Sequence, residues 1–333
     1  MRGVPIILRG AAGVRDGVRG IGDMVGGQGR RAVWLGAWAV GAVLACAGCG
    51  PKEVQTASAY GEPEKAFTAP PPAPGAPLAV SAAPTDAAAA LARMTAAYRQ
   101  MSSLYVSTVA EVAVNLGQGE RKSHQETVLE YVRQPARIAL YVRDTEAGTQ
   151  ALLADGATLV RWVGVTNRYR RTAASGSLPD LCAAVDKEAI QLMSPLVFAA
   201  SPGPPPGVES PQVTGTETVD GKTAQVVQGS LSAAFMATYA ERIFGARMAR
   251  SKARFTLWLD AGTGIVLKSA TDLAWTGVAK DQDGRVVARD PSISATERTV
   301  RFVPNPALPD DRFRFLPPRG AQEAPVERVS DVK

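Results

Sequence analysis

Polar and apolar positions change period along the chain. Leu91, Met94, Tyr98 and Met101 recur at spacings of 3, 4 and 3 residues, behind an N-cap at Thr85-Asp86. That spacing predicts a helix to about Ser102 with one apolar stripe. The period then becomes two. Leu104, Val106, Thr108, Ala110, Val112, Val114 and Leu116 alternate with polar residues, which predicts a long strand with one oily face. Strands follow at about 127–133, 137–143, 149–154, 157–163 and 168–172. The Asp155-Gly156 pair marks a hairpin between two of them. Residues 178–191 read as a helix with Pro179 in its first turn. Pro195 and the run 201–211 read as breaks and exposed loop. A hairpin follows around Asp220-Gly221, then a helix-like stretch over 232–251 with a broad apolar face. Strands resume at 254–259, 265–270, 285–288 and 296–303, and the pattern closes on the stretch Leu308 to Ala321.

The N-terminal 85 residues have a different character. Arg30-Arg31 precede an uncharged run, Ala32 to Ala45, followed by Cys46-Ala47-Gly48-Cys49-Gly50. The run is shorter than the roughly 20 residues that span a bilayer, and it suits the apolar segment of an export signal. Small residues before a cysteine at its end resemble a bacterial lipoprotein signal. Cys49 is the preferred acylated (palmitate-bearing) residue and Cys46 the alternative. Residues 1–45 are assigned to the signal peptide, with either Met1 or Met24 as the start. Residues 46–85, rich in Pro and Ala, are expected to form a flexible, extended linker. The folded domain is placed at 86–325 and a tail at 326–333.

Four pieces, in order, carry a resemblance. They are the helix end Tyr98 to Leu104 running into the first strand, the hairpin Leu153 to Trp162, the unit Phe255 to Lys268 containing Asp260-Ala261-Gly262-Thr263-Gly264, and the ending Arg312 to Ala321. Together they resemble the bacterial lipoprotein-localisation-factor superfamily, the LolA/LolB-like periplasmic carrier fold, with Arg312 to Ala321 in the place of its last strand. The resemblance implies an α+β class. A strongly curved antiparallel sheet, an incomplete β-barrel, would be closed by helices around an apolar interior. It implies a membrane-anchored envelope lipoprotein that binds lipid or lipoprotein acyl chains. The alternative it leaves open is a sensor or scaffold that contacts another periplasmic protein. Candidate cavity residues are Leu104, Val106, Val112, Val114, Leu140, Trp162, Phe255, Leu257 and Trp258; Phe235, Tyr239 and Phe244 are candidate lid residues. An oily sheet face is equally the ordinary core of such a fold, so cavity and plain core both stand at this point.

Composition narrows the chemistry. One histidine, His124, and three cysteines exclude a His-rich metal site and a disulfide-dense scaffold. Asp260-Ala261-Gly262-Thr263-Gly264 lacks the Asp-Thr-Gly order of an aspartic protease, and Asp281-Gln282-Asp283-Gly284 lacks the later ligands of a calcium loop. No cofactor, metal or enzymatic activity is expected. Cys182 reads as a small buried hydrophobe. Arg168-Tyr169-Arg170-Arg171 reads as a solvated face, with an anionic-lipid contact as the alternative. The formal charge of +6 first suggests nucleic acid. Residues 1–45, however, contain six arginines and two aspartates, so +4 of it lies in the signal segment. The remainder is close to neutral, and no nucleic-acid partner is expected. The expected location is the envelope, facing the periplasm, with Gly50 after Cys49 leaning toward the outer membrane.

Overall fold

The computed structural model describes residues 62–324, except 118, 175, 189–193, 245–247, 249 and 281–284. The signal segment, Cys46, Cys49 and the tail lie outside the described residues. Helix α1 (Glu62–Thr68) comes first, then α2 (Ala87–Gln100). Six strands follow in series: β1 (Ser103–Asn115), β2 (Glu120–Arg133), β3 (Ala136–Asp144), β4 (Gly148–Ala154), β5 (Thr158–Val163) and β6 (Arg168–Ala173). Two helices, α3 (Leu178–Glu188) and α4 (Pro195–Ala200), separate them from β7 (Val208–Val219) and β8 (Lys222–Leu231). Helix α5 (Ala233–Phe244) precedes β9 (Arg250–Asp260) and β10 (Val266–Thr276). A small ribbon, β11 (Val278–Lys280) with β12 (Val286–Arg289), leads to β13 (Ser292–Pro304), and β14 (Gln322–Glu323) closes the order.

Twelve strands form one open, curved sheet in the order β14-β6-β5-β4-β3-β2-β1-β13-β10-β9-β8-β7. Every pairing in it is antiparallel except the short β14–β6 contact. Local chemistry sets the turns. Asp86 caps α2 by accepting the Ala89 amide at 2.7 Å, and Met101 returns to extended backbone. Asp220 and Gly221 both adopt positive φ, the geometry of a two-residue hairpin turn whose twist matches the strands. In the Asp260–Gly264 turn, Asp260 Oδ1 accepts from the Gly262 and Thr263 amides and the Thr263 hydroxyl, at 2.7–3.0 Å. Arg93 of α2 clamps this turn by donating to the Ala261 and Gly262 carbonyls.

Both faces of the sheet are covered. Helices α2 to α5 lie over one face, burying Leu91, Met94, Tyr98, Phe198, Met236 and Tyr239 with Val106, Leu129, Leu140, Phe255 and Leu257. On the other face α1 and the segment 308–315 cover Tyr105, Val128, Tyr141, Leu153 and Trp162.

Four expectations need correction. Residues 46–85 are not extended throughout, because 62–68 form α1. Beyond it the chain is tied to the body by Gly75 N–H to the Pro304 carbonyl (3.3 Å) and Ser81 N–H to the Gly262 carbonyl (3.0 Å). Pro195 starts a helix instead of breaking one: it occupies the first turn of α4, where its missing N–H costs nothing, and Ser194 caps it. The helix-like stretch 232–251 ends at Phe244, since Arg250 already pairs with Thr276. Arg312 to Leu316 is no strand but a 3₁₀ turn and an extended segment. It places Phe313 in the second core, while Arg312 Nε donates to Glu130 at 3.0 and 2.9 Å.

Candidate functional site

A cavity of about 100 Å³ lies between the helix-covered face and the helices. Strand β1 contributes Val106, Thr108, Ala110 and Val112; β2 contributes Gln125, Thr127 and Leu129; β3 contributes Leu140. From the far side come Ser269, Thr271 and Leu273 of β10 and Ile293, Ala295 and Glu297 of β13. Ser194, Pro195 and Tyr239 close it from above. Tyr239 is held between rings: it stacks on Phe235 (6.3 Å, 15°) and on Trp275 (6.1 Å, 8°), and Phe244 meets Trp275 edge-on at 5.3 Å. The Trp275 indole N–H also donates to the Met236 carbonyl at 3.3 Å, pinning α5 to the sheet.

The candidate residues distribute unevenly. Val106, Val112 and Leu140 line the cavity, and Tyr239 closes it, with Phe235 and Phe244 behind Tyr239. Leu104, Val114, Phe255 and Leu257 belong to the same core without lining the cavity. Trp162 is on the opposite face, fully buried, and its indole N–H donates to Asn167 Oδ1 at 3.2 Å. Trp258 alternates away from Phe255 and Leu257. Its indole N–H donates to Glu217 at 2.7 Å, and Lys268 Nζ sits 4.4 Å from the ring centre.

The polar lining was missed. Register aligns Asp144, Gln125, Ala110, Glu297 and Ser269 as successive cross-strand neighbours from β3 to β10. Gln125 Nε2 donates to Asp144 Oδ2 at 2.7 Å, and Asp144 Oδ1 accepts the Glu146 and Ala147 amides. The Thr108 hydroxyl donates to Glu297 Oε1. Glu297 Oε2 has no hydrogen-bond partner among the described residues. Protein surrounds the Glu297 side chain, which reaches solvent-accessible space toward the cavity. Burial holds its carboxyl above the usual carboxylate range, and the Thr108 bond opposes this only in part. The neighbouring cations point the other way: Arg298 pairs with Asp220 at 2.9 Å, and Lys268 covers Trp258.

A wider groove of about 560 Å³ opens on the other face, between residues 67–71 and strands β1, β2 and β13. Its walls include Arg301, Glu126 and prolines, so its larger volume does not make it the better apolar site. Among the described residues no group of three His, Cys, Asp or Glu is placed to hold a metal ion.

No family model and no curated protein matches the sequence. Solved structures do resemble it. The Mycobacterium tuberculosis lipoprotein LppX is 13% identical and aligns over 67% of this chain and 98% of its own, with a TM-score of 0.35. LprF from Mycobacterium bovis is 13% identical over 69% of this chain and 97% of its own, with a TM-score of 0.35. A LolA superfamily protein from Nitrosomonas europaea is 12% identical over 70% and 99%, with a TM-score of 0.25. The sheet of this chain is open and, apart from the short β14–β6 contact, antiparallel, with helices laid across one face.

Proposed function

We propose that this chain is an envelope protein, anchored through acylated Cys49, that binds a hydrophobic ligand between the sheet and helices α4 and α5. The observation that supports this reading is the cavity itself. It lies over the centre of the sheet, where a plain core would be filled to crystal-like density. Ligand pockets usually enclose about 300–1,000 Å³, well above the present volume. On this reading an acyl-sized ligand enters only when α5 swings away from Trp275. The apolar inner face of α5 and the Tyr239 stack would return to the sheet when the ligand leaves.

Two experiments test the reading. Acyl labelling should disappear in Cys49→Ser and persist in Cys46→Ser; the reverse pattern moves the anchor to Cys46. The unacylated protein should enhance the emission of N-phenyl-1-naphthylamine, an uncharged probe of apolar sites. No enhancement would leave a contact module for another envelope protein as the better reading.

A further inference from the structure

The polar row across the cavity floor is unexpected for a site that takes plain hydrocarbon. Its members come from adjacent strands and are fixed by the ladder, so the row is built into the sheet rather than assembled by mobile loops. One member of the row and one hydroxyl beside it lack internal compensation. Glu297 Oε2 has no partner among the described residues, and no lysine or arginine faces it. Ser123, two residues before Gln125 on the same side of β2 but outside the cavity lining, carries a buried hydroxyl with no hydrogen-bond partner among the described residues. The buried hydroxyl of Ser123 carries a free-energy cost, whereas Glu297 is half-buried and keeps Oε2 open toward the cavity. The cavity has room for about three waters at about 30 Å³ each, which can solvate Glu297 when no ligand is present.

Resting on the proposed binding of a hydrophobic ligand, we infer that the cavity selects an aliphatic molecule whose head group donates hydrogen bonds, a hydroxyl or an ammonium, and seats that head against Glu297. The alkyl part then follows the apolar walls formed by Val106, Leu129, Leu140 and Leu273 toward α5. A carboxylate head meets the wrong complement: it brings no donor to Oε2 and places a second acidic group beside the first. Burial raises the Glu297 pKa by disfavouring its charged form, and an ammonium head against it would oppose that shift.

The test uses the unacylated full chain and a matched series, octan-1-ol, octylamine and octanoate, each competing with N-phenyl-1-naphthylamine. The alcohol and the amine should displace the probe about tenfold more tightly than octanoate, a ratio typical of one hydrogen bond gained or lost in a buried site. Glu297→Leu should bring the three within about threefold of each other while still taking up the probe. Glu297→Gln, which keeps an acceptor but no charge, should retain the alcohol and weaken the amine. Equal displacement by all three in the wild type, or an unchanged ranking in Glu297→Leu, overturns this inference and leaves the binding reading intact. Failure of both the alcohol and the amine to displace a bound probe overturns this inference alone, and failure of the probe to bind overturns both.

Discussion

Ala295→Leu separates a usable cavity from ordinary packing space. Ala295 lies on β13 between Val112 of β1 and Thr271 of β10, and its side chain faces the cavity. Empty space costs about 24 cal/mol per Å³, so filling all 100 Å³ gains at most about 2.4 kcal/mol. Crowding among β-strand neighbours offsets about 1–3 kcal/mol of that. The expected net change in unfolding free energy is therefore within about 1.5 kcal/mol of zero. Ala224→Leu, at a fully buried position of β8 that does not line the cavity, should cost clearly more. Urea unfolding followed by far-UV circular dichroism measures both. Uptake of N-phenyl-1-naphthylamine should fall at least about tenfold in Ala295→Leu, because the added carbons occupy the ligand's place. A loss above about 3 kcal/mol would show that no usable space exists there. Full probe uptake in a stable variant would place the ligand elsewhere.

Glu297→Gln should alter the pH dependence of stability. The folded carboxyl holds its proton to higher pH than the unfolded one, so its contribution is complete at low pH and is lost as pH rises through the folded value. The variant should gain on the wild type in urea midpoints as pH rises above the ordinary carboxylate value of about 4; a parallel offset at every pH would contradict the shift. Arg312→Met leaves Glu130, 2% exposed, without its partner and should cost about 3–5 kcal/mol, most of it recovered in the Glu130→Gln, Arg312→Met double variant. Tyr98→Phe removes the hydroxyl that accepts the Val266 amide at 3.2 Å and should cost about 1–3 kcal/mol, since the ring packing survives; a neutral result would mean the amide finds another acceptor. Asp86→Ala should cost about 1 kcal/mol by uncapping α2, measured by thermal unfolding.

Period and turn chemistry carried most of the first half of the fold. The stripe Leu91, Met94, Tyr98 faces the sheet in α2, and the alternation over 104–114 is the inner face of β1. The Asp155-Gly156 and Asp220-Gly221 turns sit where their residues allow them. Trp162 was misplaced because both faces of β5 are covered: Leu159 and Val160, adjacent in sequence, are both buried. Alternation then says which residues share a side, not which side is concave. Register supplies the answer, since Trp162 opposes Ala151 and lies on the side of Leu153, away from Leu140 and Leu152. Glu297 stayed hidden for a related reason. In sequence it is one charge in a polar strand, and its significance comes from neighbours on β1 and β10 that lie far away along the chain. Pro195 alone reads as a breaker; the preceding Ser194 cap is what lets it open helix α4. The segment 308–315 has aromatic alternation but serves as a cover for the outer face, a role fixed by the Glu130–Arg312 pair.

The central claim is that the helix-covered face holds a hydrophobic ligand. Native mass spectrometry of the unacylated chain, purified from cell envelopes without detergent, tests it most directly. The account predicts discrete added masses of aliphatic molecules that dissociate on activation and are absent from Ala295→Leu. A single unliganded mass in the wild type, unchanged after incubation with octan-1-ol, would contradict it.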